Sequence, residues 1–232
     1  MNAVELTNVL KRFSNGHGSD MTILFENMDF SVREGELVVV SGNQGSGKST
    51  LLQMIAAMTP ANKGTVHVFG EDLLSVHKRT EWRLNTIGFI NADSCLIPYL
   101  SARQNLLIGL KKEDTGYEAK QAQATALLSE LGFSEEAMDE SIEALDDKQQ
   151  LLATIGRIFM TQPKLILADE PAKALKGEES EELLTRLIHF SRQHGLTVII
   201  ATNDSSIIKK ADRHVVVENH RLVEYPIERT CI

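Results

Sequence analysis

The sequence predicts an α/β fold: a parallel-sheet core, an antiparallel β portion near its start and a helical insertion in its middle. Three observations predict it. The run LVVV at 37–40 is continuously apolar and β-branched, the pattern of a strand covered on both faces, and further core strands are read at 164–168 and 196–201. Strand-like and helix-like segments alternate around these runs, which is how a parallel sheet is wound. Between about 101 and 160 the composition turns helical.

Each element can be justified in turn. Residues 3–10 and 21–32 are β-rich runs separated by turn residues, and 37–40 leads straight into SGNQGSGKST and then LLQMIAAM, whose apolar positions suit a helix. Strands are predicted at 64–69, after a turn at 62–64, and at 86–90. Residues 120–131, rich in Ala, Gln, Leu and Glu, predict a helix, and a second spans 148–160, stopping before Pro163. A strand at 164–168, a helix at 177–194, a strand at 196–201 and a hairpin at 214–224 turning at Asn219 and His220 complete the pattern. The 232 residues read as one domain. Residues 1–91 and 161–232 form the core with its β portion, and 92–160 the helical subdomain.

Composition narrows the function classes. With 42% apolar and 24% charged residues the chain has an ordinary globular balance. A net charge of −8 argues against coating nucleic acid, which depends on Lys and Arg, but leaves room for one nucleotide held by backbone N–H groups. Cys95 and Cys231 form no disulfide framework and no cluster has zinc spacing, so a reducing cytoplasm is expected. The opening MNAVELTNVLKRF is mixed in polarity, so no signal peptide is expected. No apolar run approaches the roughly 18 residues that span a bilayer; work at a membrane would need a partner to anchor the chain.

Gly42-Asn43-Gln44-Gly45-Ser46-Gly47-Lys48-Ser49 fits G-x-x-x-x-G-K-[ST], with Thr50 next in line. Glycines let successive N–H groups point inward at phosphate oxygens, and the helix that follows adds its positive end. Lys48 would reach the β and γ phosphates and the Ser49 hydroxyl would ligate Mg²⁺. The second element is LILADE, an apolar strand ending in two carboxylates: Asp169 is placed to hold the metal shell, and Glu170 is a candidate general base for an attacking water. Together they predict binding of ATP or GTP.

Beyond these motifs the chain resembles the ATP-binding subunits of ABC transporters over nearly its whole length. It is most similar to the lipoprotein-releasing, macrolide-exporter and cell-division group. The resemblance rests on VREGELVVVSGNQGSGKSTLLQMIAAMTPANKGTV, IGFINADSCLIPYLSARQNL, QPKLILADEP and LTVIIATND, in that order. It implies a P-loop NTPase with a RecA-like core, an N-terminal antiparallel β subdomain and an inserted α-helical subdomain. It also implies Mg-ATP as ligand, a head-to-tail homodimer or heterodimer sandwiching two ATPs, and an integral-membrane permease as partner on the inner face of the cell membrane. Phe13 stands where an aromatic stacks on adenine; a core Phe on the first strand is the equal alternative. Residues 93–100 are either the permease dock or packing inside the helical subdomain.

Four positions depart from the family pattern. The signature LSGGQ reads Leu145-Asp146-Asp147-Lys148-Gln149, so two carboxylates, with Lys148 beside them, would face a partner's γ-phosphate. Asp146 and Asp147 equally suit a helix cap. Ala92 replaces the glutamine that senses Mg²⁺ and the permease, and Asn203 replaces the switch histidine, losing its proton chemistry. The S-A-L-D stretch reads Lys173-Ala174-Leu175-Lys176, placing Lys176 at the aspartate that communicates across the dimer. The expectation is a subunit that binds Mg-ATP and hydrolyses it slowly or not at all. The alternatives are a nucleotide-gated scaffold or regulator, and an ordinary slow ATPase.

Overall fold

The computed structural model describes residues 1–14, 21–91, 95–175 and 177–227. Two sheets organise them. The antiparallel one comprises β1 (Asn2–Ser14), β2 (Met21–Arg33), β4 (Lys63–Val68) and β5 (Glu71–Asp72), in the order β2-β1-β4-β5. The other comprises β3 (Leu37–Gly42), β6 (Ile87–Asn91), β7 (Leu165–Asp169), β8 (Thr197–Ala201), β9 (Arg213–Glu218) and β10 (Arg221–Tyr225), in the order β10-β9-β3-β8-β7-β6. Its strands pair in parallel except at β9–β10.

The unalternating strand sequences follow from two cores. Side chains on successive strand residues point to opposite faces. Val38, Val40, Leu165, Leu167 and Ile199 therefore pack with α1 (Lys48–Ile55) and the antiparallel sheet. Val39, Ile166, Val198 and Ile200 pack instead with the helices of the opposite face. Those helices are α3 (Ala102–Leu106), α4 (Tyr117–Glu130), α5 (Glu135–Asp139), α6 (Asp147–Phe159), α7 (Glu178–Gln193) and α8 (Ser205–Ile208). Burying one such aliphatic side chain is worth about 1.5–3 kcal/mol, which fixes α1 between the sheets. Among the described residues no helix is long and apolar enough to cross a membrane.

The β9–β10 hairpin turns where the sequence places it, at Asn219 (φ 46°) and His220 (φ 62°). Two successive positive φ values give the primed turn whose twist matches the flanking strands. Two helices escaped the sequence reading: α2 (Arg79–Thr86) has no buried residue and hence no apolar stripe to betray it, and α8 is four residues long, too short for a periodic pattern.

The segment 95–101 divides its side chains. Leu96 is buried in the helical core, whereas Tyr99 is 73% exposed. Asn105, fully buried on α3, shapes the segment: its Oδ1 accepts from the Ile97 N–H at 2.7 Å, and its Nδ2 donates to the carbonyls of Ile97 (3.1 Å) and Ser101 (3.0 Å). Asn105→Ala strands these backbone groups, at about 1–3 kcal/mol for a buried group left unsatisfied. A lowered urea midpoint is the expected result.

Candidate functional site

The carboxyl ends of the parallel strands converge on one cleft, as open α/β sheets arrange their ligand sites. The chain leaves β3 at Gly42 and re-enters regular structure at Lys48. Two glycines in between are required by space. A Cβ on Gly42 (φ 147°) would lie 2.9 Å from Ser46 Oγ and from the Val217 carbonyl oxygen. A Cβ on Gly47 (φ 108°), the N-cap of α1, would lie 2.9 Å from Phe25 Cζ.

Lys48 is buried and folded onto the loop. Its Nζ donates to the carbonyls of Gly42 (2.7 Å) and Asn43 (3.2 Å), with Glu170 Oε1 at 3.8 Å. Ser46 Oγ is buried with no hydrogen-bond partner among the described residues, an orphaned donor inside a loop of phosphate-binding sequence. Facing α1, Asp169 ends β7 and its Oδ1 accepts from Ser49 Oγ at 3.0 Å. Glu170 adopts φ 44°, with its N–H bonded to the Ala201 carbonyl at 3.0 Å. Its own carbonyl accepts from the Lys173 N–H at 3.1 Å, a turn that returns the chain to the cleft.

The cleft encloses about 780 Å³, within the range of small-molecule sites. Gln44, Gly45, Ser46, Gly47, Lys48, Ser49 and Thr50 line one side; Asp169, Glu170, Lys173, Asn91 and Asn203 line the other, and Leu24 completes the wall. The donor set fits a polyphosphate with its cation. The loop N–H groups and Lys48 suit anionic oxygens, the orphaned Ser46 hydroxyl lacks only an acceptor, and Ser49 with Asp169 offers the hard oxygen ligands Mg²⁺ prefers.

Not every sequence-derived site residue joins this cleft. Asn43 reaches it through the carbonyl that holds Lys48. Phe13 is 44% exposed on β1, so it is not a core residue. The Lys11 ammonium sits 4.7 Å from its ring centroid, and the ring is not part of the cleft lining. Asn203 turns to the loop itself: its Oδ1 accepts from the Gly42 N–H at 3.0 Å and its Nδ2 donates to the Gly42 carbonyl at 3.2 Å.

At the signature position, Asp146 and Gln149 form a capping box on α6. Asp146 Oδ1 accepts from the Gln149 N–H at 2.7 Å, and Gln149 Oε1 accepts from the Asp146 N–H at 3.3 Å. Asp147 stands in the first turn, where a negative charge suits the helix dipole. Lys148 pairs with Glu182 on α7, which Arg186 also holds at 2.8 Å; these hydrogen bonds keep the Glu182 carboxyl below its usual range. None of residues 146–149 lines the cleft of its own chain. Ala92 and Lys176 lie outside the described residues.

Asn91 lines the cleft without having been singled out from the sequence, and Lys173 lines it as the first residue of the stretch that departs from S-A-L-D. Asn91 ends β6 in register with Asp169, so the convergence of strand ends was the available signal. For Lys173 the signal was its place three residues beyond Glu170.

Comparison with known proteins places this geometry in context. Residues 25–173 match the family model described as ABC transporter. The chain is 34% identical over 223 residues to a Staphylococcus haemolyticus protein bearing the name hemin import ATP-binding protein HrtA, covering 95% of this chain and 99% of that one. It is 31% identical over 223 residues to the lipoprotein-releasing system ATP-binding protein LolD 1 of Rhodospirillum rubrum, covering 95% and 97% respectively. A dimeric post-hydrolysis structure of the ATP-binding cassette MJ0796 bound to ADP and Pi superposes with a TM-score of 0.82 at 26% identity, covering 97% of this chain and 99% of that one.

Proposed function

Because the chain belongs to the ABC transporter family, we propose that it is an ATP-binding subunit that takes up Mg-ATP and dimerises to drive or regulate an integral-membrane permease, with hydrolysis slow or absent. The observation that carries the reading is the convergence of Lys48, Ser49, Asp169 and Glu170 on one cleft floored by the glycine loop. In this reading Gly42 to Thr50 wrap the phosphates, Ser49 and Asp169 hold Mg²⁺, Glu170 is the general base and Phe13 meets the base of the nucleotide. When bound, Mg²⁺ neutralises charge on the β and γ phosphate oxygens. The division into a core (1–91 and 161–232) and a helical subdomain (92–160) lets the signature segment of one chain face the nucleotide of another. The permease keeps the subunit on the inner face of the cell membrane.

Slow turnover is supported by what the signature position has become. Asp146 and Gln149 are committed to capping α6, and Lys148 is committed to Glu182. Two carboxylates would thus meet a partner's γ-phosphate with little local cation to offset them, and like charges at contact distance repel. At the switch position, Asn203 has no titratable nitrogen with which to carry a proton.

Steady-state phosphate release at saturating Mg-ATP tests this. The expected rate is well below the median of about 10 s⁻¹ for enzymes in general, with any residual release lost in Glu170→Gln. A rate at or above that median contradicts the proposal.

A further inference from the structure

We infer that Lys173 is the residue that meets the terminal phosphate of the bound nucleotide, while Asn203 is a positioning residue that serves the loop instead; this rests on the nucleotide-binding reading above.

The argument begins with the cleft's cations. Lys48 and Lys173 are the two lysines among its described lining residues. Lys48 is buried at the base and held by two loop carbonyls beside Glu170. Lys173 is exposed, and among the described residues its ammonium has neither a hydrogen bond nor an ion pair. The turn closed by the Lys173 N–H on the Glu170 carbonyl sets it three residues past Glu170, among the residues that line the cleft. An unpaired ammonium lining the same cleft as Asp169 and Glu170 offsets part of their repulsion toward an incoming phosphate. It also supplies a charge-assisted donor to that phosphate.

Asn203 stands where the family sensor would, but both functional atoms of its carboxamide are used on one peptide, the N–H and carbonyl of Gly42. The Gly42 carbonyl currently accepts from both Lys48 Nζ and Asn203 Nδ2. Lys48 spends two of its three ammonium donors on loop carbonyls, and where it releases the Gly42 oxygen to a phosphate, Asn203 keeps that oxygen bonded. Asn203 therefore supports every nucleotide that engages the loop, with or without a third phosphate. Discrimination between three phosphates and two is therefore left to the groups that meet the terminal phosphate, Lys173 among them.

Calorimetric titration of the full chain with Mg-ATP and with Mg-ADP separates these roles, using wild type, Lys173→Ala, Lys173→Arg and Asn203→Ala. Lys173→Ala is expected to lose about tenfold in ATP affinity, the size of one hydrogen bond to a charged group, with ADP affinity unchanged. Lys173→Arg is expected to retain most of the ATP affinity. Asn203→Ala is expected to weaken ATP and ADP in parallel, leaving their ratio as in wild type. The inference is overturned if Lys173→Ala leaves ATP affinity intact or lowers both nucleotides equally, or if Asn203→Ala weakens ATP alone. Such results, with wild type binding normally, leave the broader proposal standing. Wild type that takes up neither nucleotide removes both.

Discussion

Lys48→Ala is expected to weaken Mg-ATP binding at least about a hundredfold, since the side chain would donate two or more hydrogen bonds to charged phosphate oxygens at roughly 1.5–3 kcal/mol each. The geometry explains why no neighbour replaces it. Lys48 rises from the first turn of α1 into the centre of the loop, and its ammonium already lies among the Gly42 and Asn43 carbonyls. Glu170 Oε1 is 3.8 Å away, so removing the lysine leaves that carboxylate without its nearby cation and turns the cleft floor more negative. Loss of a buried cation and loss of the ammonium 3.8 Å from Glu170 act in the same direction on a polyphosphate. Calorimetric titration of the variant against wild type, with circular dichroism to show that the fold is retained, measures the effect. An affinity within a few-fold of wild type contradicts it.

Gly47→Ala carries the second large effect, on stability as well as binding. At φ 108° a non-glycine residue is strained by on the order of 1–3 kcal/mol. The added methyl also meets Phe25 at 2.9 Å, and Phe25, on β2, is fully buried in the core it shares with α1, so the ring has no solvent-side retreat. Overpacking of this kind costs about 1–3 kcal/mol more. The sum, about 2–6 kcal/mol, is a large share of the 5–15 kcal/mol typical of a domain. It is expected as a lowered urea midpoint, with nucleotide binding lost because the start of α1 is displaced. A midpoint within error of wild type would mean that the loop relaxes around the methyl.

The two sets of variants act on different parts of one site, and that site was unevenly legible in the sequence. The loop and the LILADE strand could be read because both are local: short stretches in which residue type, spacing and neighbouring strand carry the meaning. The parallel strands could be read for a related reason, since residues 37–40, 165–168 and 198–201 are apolar at every position, as suits a strand covered on both faces. The hairpin at Asn219 and His220 was likewise local, as was the cap by Asp146.

Contacts across long sequence separations were not legible. Asn203 and Gly42 are 161 positions apart, and nothing in either stretch says that the carboxamide turns onto that peptide. Lys148 and Glu182 are 34 apart on different helices; their pairing removes the local offset that Lys148 offered Asp146 and Asp147 in the sequence. Asn91 and Lys173 reach the cleft because strand ends and a turn put them there, and neither belongs to a periodic pattern. Helix α2 was invisible because it buries nothing. Of 93–100, residues 93 and 94 lie outside the described residues, and in the remainder Leu96 packs inward while Tyr99 faces out.

The most direct test of the account is a titration of the folded wild-type chain with Mg-ATP. Saturable uptake approaching one nucleotide per chain is the predicted result. A well-folded sample that takes up no nucleotide in the presence of magnesium would contradict the reading of the glycine loop, and with it the proposed function.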